Sequence, residues 1–155
     1  MTFSEETTWE GRPVRVTWLP GYRPQPHDSV TQVSGLCFTG DGHIVLVSQD
    51  GNTWSLPGGK PEGDETWEET LRREVAEEAC AEVLDCRLLG AQRVEGLTPE
   101  PYDQLRFRAR VGLHPFRPAF ETRYRKVFAV EDYARVLPWG AGAIGQALLR
   151  QALDP

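Results

Sequence analysis

The sequence predicts a mixed α/β sandwich. Three observations carry that expectation. Short alternating apolar runs recur along the chain, as half-buried strands require. Helical patterns stand at only two well-separated places, one in the middle and one at the end. Clusters rich in glycine, proline and aspartate punctuate the rest. That mixture argues against a bundle or a barrel. At 155 residues, one domain spanning 1–155 is expected, large enough for a real core.

The elements follow in order. Arg12 to Trp18 alternates through Val14 and Val16 and reads as an early strand. Gly21 to Asp28 carries prolines and reads as a loop. Val30 to Phe38 and His43 to Gln49 read as a hairpin around Gly40-Asp41-Gly42. Asp50-Gly51-Asn52 is a further turn, and Thr53 to Leu56 leads into the central segment. Beyond that segment, Val83 to Val94, Gln104 to Val111 and Tyr124 to Val130 read as strands. Leu113 to Ala119 is interrupted by proline, and Gly140 to Leu153 reads as a closing helix with Ile144, Leu148 and Ala152 on one side.

The central segment, Gly58 to Ala81, reads GGKPEGDETWEETLRREVAEEACA. Pro57, Gly58 and Gly59 turn the chain. Thr66 with Glu69 three residues on fits a capping box, with Asp64 as a competing cap. Trp67, Leu71, Val75 and Ala79 then form one apolar stripe. Glu74 and Glu78 fall on or beside that stripe rather than opposite it. Glu74, Glu77 and Glu78 stand at i, i+3 and i+4, so their side chains are neighbours and repel. They also face the negative end of the helix dipole, at a cost of about 0.3–1 kcal/mol each when exposed. Local stability does not explain the arrangement. A hard divalent cation does, because Mg²⁺ and Mn²⁺ take oxygen ligands and cancel clustered negative charge.

The segment resembles the Nudix box, whose pattern is GX5EX7REUXEEXGU with U a bulky aliphatic. Gly59, Glu65, Arg73, Glu74, Val75, Glu77 and Glu78 match in order and spacing. Cys80 and Ala81 depart from it, standing where the pattern has glycine and a larger aliphatic. A glycine at that point suits a left-handed helix exit, so the helix is expected to leave differently here. The resemblance implies an α/β/α sandwich with a mixed sheet and a loop–helix–loop box. It also implies hydrolysis of a diphosphate bond in a nucleoside diphosphate linked to another group. By the same resemblance Glu74, Glu77, Glu78 and the Gly58 carbonyl are the metal ligands, with Mg²⁺ or Mn²⁺ as cofactor. Glu77 and Glu78, with Arg73 orienting them, are the catalytic residues, and Glu65 braces the helix. The group that takes the water proton is open: Glu77 or Glu78, or an acid from outside the box, with Glu95, Glu100, Asp103 and Glu121 as candidates.

Other features bound partners and place. The net charge of −6 disfavours a nucleic-acid polymer and leaves a small nucleotide as the expected substrate. There is no apolar run long enough to span a bilayer and no leader pattern, so no membrane is expected and the cytoplasm is the default. A homodimer is the candidate assembly. Cys37, Cys80 and Cys86 lack metal-ligand spacing and read as reduced thiols. Arg106, Arg108 and Arg110 alternate along one strand face, read first as a solvated outer face, with Arg106 the candidate for substrate contact. Trp54, just before the box, is the candidate for stacking on a base. The preferred substrate is a nucleoside triphosphate or another small nucleotide. Two alternatives are a nucleotide-binding regulator that does not catalyse, and an isoprenoid-diphosphate isomerase, which needs a pocket thiol from Cys37.

Overall fold

Alternation along two neighbouring strands decides where the layers lie. In β3 (Val30–Phe38), Val33 and Cys37 point to one side of the sheet and Leu36 and Phe38 to the other. In β4 (Ile44–Ser48), Val45 and Val47 oppose Ile44 and Leu46 in the same way. Both faces are therefore apolar, and both must be covered. Helix α1 (Trp67–Ala79) covers the first with Leu71, Val75 and Ala79, all fully buried. Helix α3 (Ala143–Leu153) covers the second with Ile144, Leu148 and Ala152. Tyr133 and Leu137, from the short helix α2 (Tyr133–Val136) and the residue after it, complete that side. The result is the expected α/β/α sandwich, seen in a computed structural model that describes residues 2–155.

Among the described residues, nine strands form one mixed sheet. The remaining strands are β1 (Phe3–Trp9), β2 (Arg12–Pro20), β5 (Trp54–Ser55), β6 (Gly58–Gly59), β7 (Ala81–Glu95), β8 (Tyr102–Leu113) and β9 (Tyr124–Phe128). The order is β1-β2-β7-β8-β3-β4-β5, with β6 also paired to β3 and β9 to β4. The β3–β4 hairpin forms as expected, with Cys37 opposite Val45. β3 and β8 run parallel, joined through β4, β5, β6, α1 and β7. Strand β1 and helix α2 lie outside the elements read from the sequence. β1 is mostly exposed and polar, paired to β2 along its length, so it has little hydrophobic signal. No helix among the described residues is long and apolar enough to cross a membrane.

Candidate active site

The box helix begins as its sequence demands. The Thr66 hydroxyl accepts from the Glu69 N–H and the Glu69 carboxylate accepts from the Thr66 N–H, closing the capping box. The glycines before it are required by close approach. A Cβ on Gly58 would lie 2.4 Å from the Val33 carbonyl oxygen, because β6 pairs with β3 there. A Cβ on Gly59 would lie 2.4 Å from the Glu74 carboxyl carbon. Small residues thus let the loop lie directly against the glutamates. The Gly58 N–H donates to Glu78 Oε1 at 2.9 Å.

The helix exit differs from expectation. Cys80 adopts φ 50° and ψ 48°, the left-handed exit a glycine would take. A non-glycine residue there costs roughly 1–2 kcal/mol. Anchors on both sides hold it: the Cys80 carbonyl accepts from the His114 N–H at 2.9 Å and from Arg125 Nη1 at 3.2 Å. Its sulfur accepts from the Arg117 N–H at 3.4 Å.

The loop and the helix end enclose a cavity of about 280 Å³. Glu62, Glu74, Glu77 and Glu78 line it, with Lys60 as a nearby cation. Glu121, from the loop before β9, lines it as well, beside Phe120. Of the four acids left open by the sequence, this is the one that reaches the cavity. Asp103 is buried and paired to Arg93 through two bonds of 2.8 and 3.0 Å. Glu95 lies beside Pro13 and Arg15, and Glu100 is exposed elsewhere.

Arg73 organises the cluster from one side. It donates to Glu65 from Nε at 2.7 Å and from Nη2 at 3.0 Å. Its Nη1 reaches Glu74 Oε1 at 2.8 Å and Glu77 Oε2 at 3.4 Å, and Nη2 also donates to the Lys60 carbonyl. This fork holds the Glu65 carboxyl down at about 2. Glu78 has no such partner. Burial, then the neighbouring charges of Glu74, Glu121 and Glu77, push its carboxyl up to about 7 against the pull of the Gly58 N–H. Burial likewise raises Glu74, opposed by Arg73.

The donor set is all oxygen, which fits a hard divalent cation. As the side chains stand, no group of three or more His, Cys, Asp or Glu among the described residues is arranged to hold a metal ion. Glu74 Oε1 accepts from Arg73 and Glu78 Oε1 from the Gly58 N–H.

A model of the NUDIX domain matches residues 28–139. The chain belongs to the NUDIX family. As a member of that family it is a pyrophosphohydrolase. No curated protein matches the chain by sequence. Among solved structures, the NUDIX fold recurs in the Bacillus subtilis pyrophosphohydrolase BsRppH at 23% identity and TM-score 0.72, covering 95% of this chain and 94% of that one. The MutT protein of Methanosarcina mazei Go1 aligns at 20% identity and TM-score 0.58, over 84% of this chain and 100% of that one. An ADP-ribose pyrophosphatase of Streptococcus suis aligns at 23% identity and TM-score 0.57, over 81% and 92%.

The NUDIX fold scatters the other residues singled out in the sequence. Trp54 does not border the glutamate cavity. It packs edge-on against Phe128, ring centroids 5.3 Å apart, at the rim of the α3-side core. Arg106 is not on a solvated face but 7% exposed, because α3 and the turn before it cover that side of β8. Burial lowers its guanidinium to about 10, still charged at neutral pH. The face fades outward: Arg108 is half-buried over Phe38, and Arg110 is exposed and paired with Asp85. Cys37 is fully buried in the α1-side core, where burial pushes its thiol up to about 12. It offers no pocket nucleophile, which removes the thiol that an isomerase needs.

Proposed function

We propose that this NUDIX protein is a divalent-cation-dependent pyrophosphohydrolase of a nucleoside diphosphate derivative, either a nucleoside triphosphate or another small nucleotide. The observation that carries this is the convergence of Glu74, Glu77, Glu78 and Glu121 on one cavity beside the Gly58 backbone. The activities in the names of the structural neighbours support the reaction class.

Glu74, Glu77, Glu78 and the Gly58 carbonyl would hold Mg²⁺ or Mn²⁺. The bound cation would supply charge neutralisation on the phosphate oxygens and a more acidic water. Arg73 orients Glu74 and Glu77 and is itself oriented by Glu65. Lys60, at the cavity edge, is suited to a phosphate oxygen. Glu121 takes the proton of the attacking water as the phosphorus–oxygen bridge bond breaks, and the bridging oxygen leaves with the departing phosphate.

Phosphate or pyrophosphate release from a panel of nucleotides, with and without Mg²⁺, tests the reading. Glu78→Gln is expected to lower turnover by orders of magnitude with little loss of folded protein. Turnover by that variant near the wild-type level in Mg²⁺ would overturn the assignment. Absence of any diphosphate cleavage would favour a binding protein instead.

A further inference from the structure

The segment that carries Glu121 runs over the surface, yet one residue in it turns inward. From Arg117 to Tyr124 every residue is exposed except Thr122, which is 4% exposed. A buried hydroxyl needs a hydrogen-bond partner. Thr122 Oγ1 donates to the Glu78 backbone carbonyl at 2.7 Å. That carbonyl is among the last four of α1, which have no partner within the helix. One contact therefore satisfies the helix end and holds the loop.

The two backbones it joins both carry acids of the cavity. Glu78 belongs to the helix cluster, and Glu121 precedes Thr122 in the chain, with its Cα about 3.8 Å away. Both carboxylates line the same cavity. A single hydrogen bond thus links the backbone of one acid to the immediate neighbour of the other.

Further anchors flank this one. Upstream, the Arg117 N–H donates to Cys80 Sγ at 3.4 Å. Downstream, the Arg123 N–H donates to the Ser48 carbonyl at 2.9 Å, where β9 meets β4. Arg125 of β9 then donates from Nη1 to the carbonyls of Ala79 at 2.8 Å, Cys80 at 3.2 Å and His114 at 2.8 Å. Helix α1 has no basic residue in its last turn, so this guanidinium also opposes the negative end of the dipole. Of these anchors, only Thr122 bonds to an acid of the cluster.

A general base must stand within hydrogen-bond reach of the proton it takes. Here the metal ligands sit on a helix and the base on a loop some 40 residues further along. A displacement of about 1 Å between such groups can cost about 100-fold in rate.

We propose that Thr122 is a positioning residue for hydrolysis: its hydroxyl ties the loop bearing Glu121 to the helix bearing Glu78, and so fixes the general base against the metal ligands. This rests on the pyrophosphohydrolase reading, with Glu121 as its base.

A double-mutant cycle tests it, using a nucleotide that the wild type hydrolyses in Mg²⁺. Thr122→Val keeps the branched shape and removes the hydroxyl. It should lower kcat by about 10–100-fold. KM and the Mg²⁺ concentration for half-maximal rate should barely move, because the ligands stay on the helix. Thr122→Ser, which restores the hydroxyl, should recover most of the loss. In a Glu121→Gln background Thr122→Val should cost almost nothing further, since the group it positions is gone. If Thr122→Val melts below the assay temperature, Thr122→Ala carries the same cycle, because it leaves room for water to reach the Glu78 carbonyl.

Three results would overturn the positioning role and leave hydrolysis intact. They are wild-type kcat in Thr122→Val, a loss confined to KM or to Mg²⁺ dependence, and equal fractional losses of kcat in both backgrounds. An inert Glu121→Gln would instead remove the base assignment. No cleavage of any nucleotide by the wild type would sink the pyrophosphohydrolase reading. Either of those takes the positioning role with it.

Discussion

Arg73 and Glu65, eight residues apart, share two hydrogen bonds of 2.7 and 3.0 Å, and the same guanidinium reaches Glu74 at 2.8 Å. The loop before the helix is thereby tied to a carboxylate near its far end. Lysine carries the charge but not the planar fork. Arg73→Lys is expected to weaken Mg²⁺ or Mn²⁺ binding or activity by about 10–100-fold. Calorimetric metal titration, paired with a thermal melt, separates that loss from unfolding.

The same contact makes stability depend on acid. Arg73 holds the Glu65 carboxyl at about 2, below its ordinary 4.5. The folded state therefore favours the ionised form. This contribution is complete above pH 4.5 and is lost as pH falls from there through about 2. Urea midpoints across that window should fall in the wild type, and Glu65→Gln should show a shallower fall over the same range.

Gly58 and Gly59 should fail in different ways. A methyl on Gly58 meets backbone, the Val33 carbonyl oxygen and the Ser34 Cα, which cannot move without disturbing β3. A methyl on Gly59 meets only the carboxylate end of Glu74, which can swing. Gly58→Ala is expected to lose stability, whereas Gly59→Ala should stay folded and lose metal affinity. A Gly59→Ala protein that melts as early as Gly58→Ala would contradict this.

Relief of the left-handed exit should stabilise the fold. Cys80→Gly removes a cost of roughly 1–2 kcal/mol. The freer unfolded chain takes back about 0.4–1 kcal/mol. The sulfur's contact with the Arg117 N–H is lost as well, so a net gain of at most about 1 kcal/mol is expected in urea denaturation. Cys80→Ala retains the strained φ of 50° and loses the contact with the Arg117 N–H, so it should gain nothing.

The acid outside the box can be told from its rivals by kinetics. Glu121→Gln is expected to reduce kcat by about 10²–10⁴-fold, the range of general base catalysis. Glu95→Gln and Glu100→Gln, which lie away from the cavity, should turn over near the wild-type rate. An inert Glu121→Gln would remove it from the mechanism.

Much of this was legible in residues close together in the chain. The helical period alone put Glu74, Glu77 and Glu78 side by side, and the Thr66–Glu69 spacing marked where the helix begins. Alternation marked most strands, though the polar edge strand β1 left no apolar trace. Those features depend on neighbours within about one turn or one strand, so the sequence by itself determined them. Tertiary structure decided the rest. Glu121 joins the cluster only because β9 pairs with β4 and brings its preceding loop to the cavity. Arg106 looks like Arg110 in the strand pattern, yet α3 and its preceding turn bury one while the other stays exposed. Cys80 takes a glycine's conformation because contacts from Arg117, His114 and Arg125 hold it there. Periodicity records which way a side chain points. What it points at is set by segments far along the chain, whose packing energy outweighs any local preference.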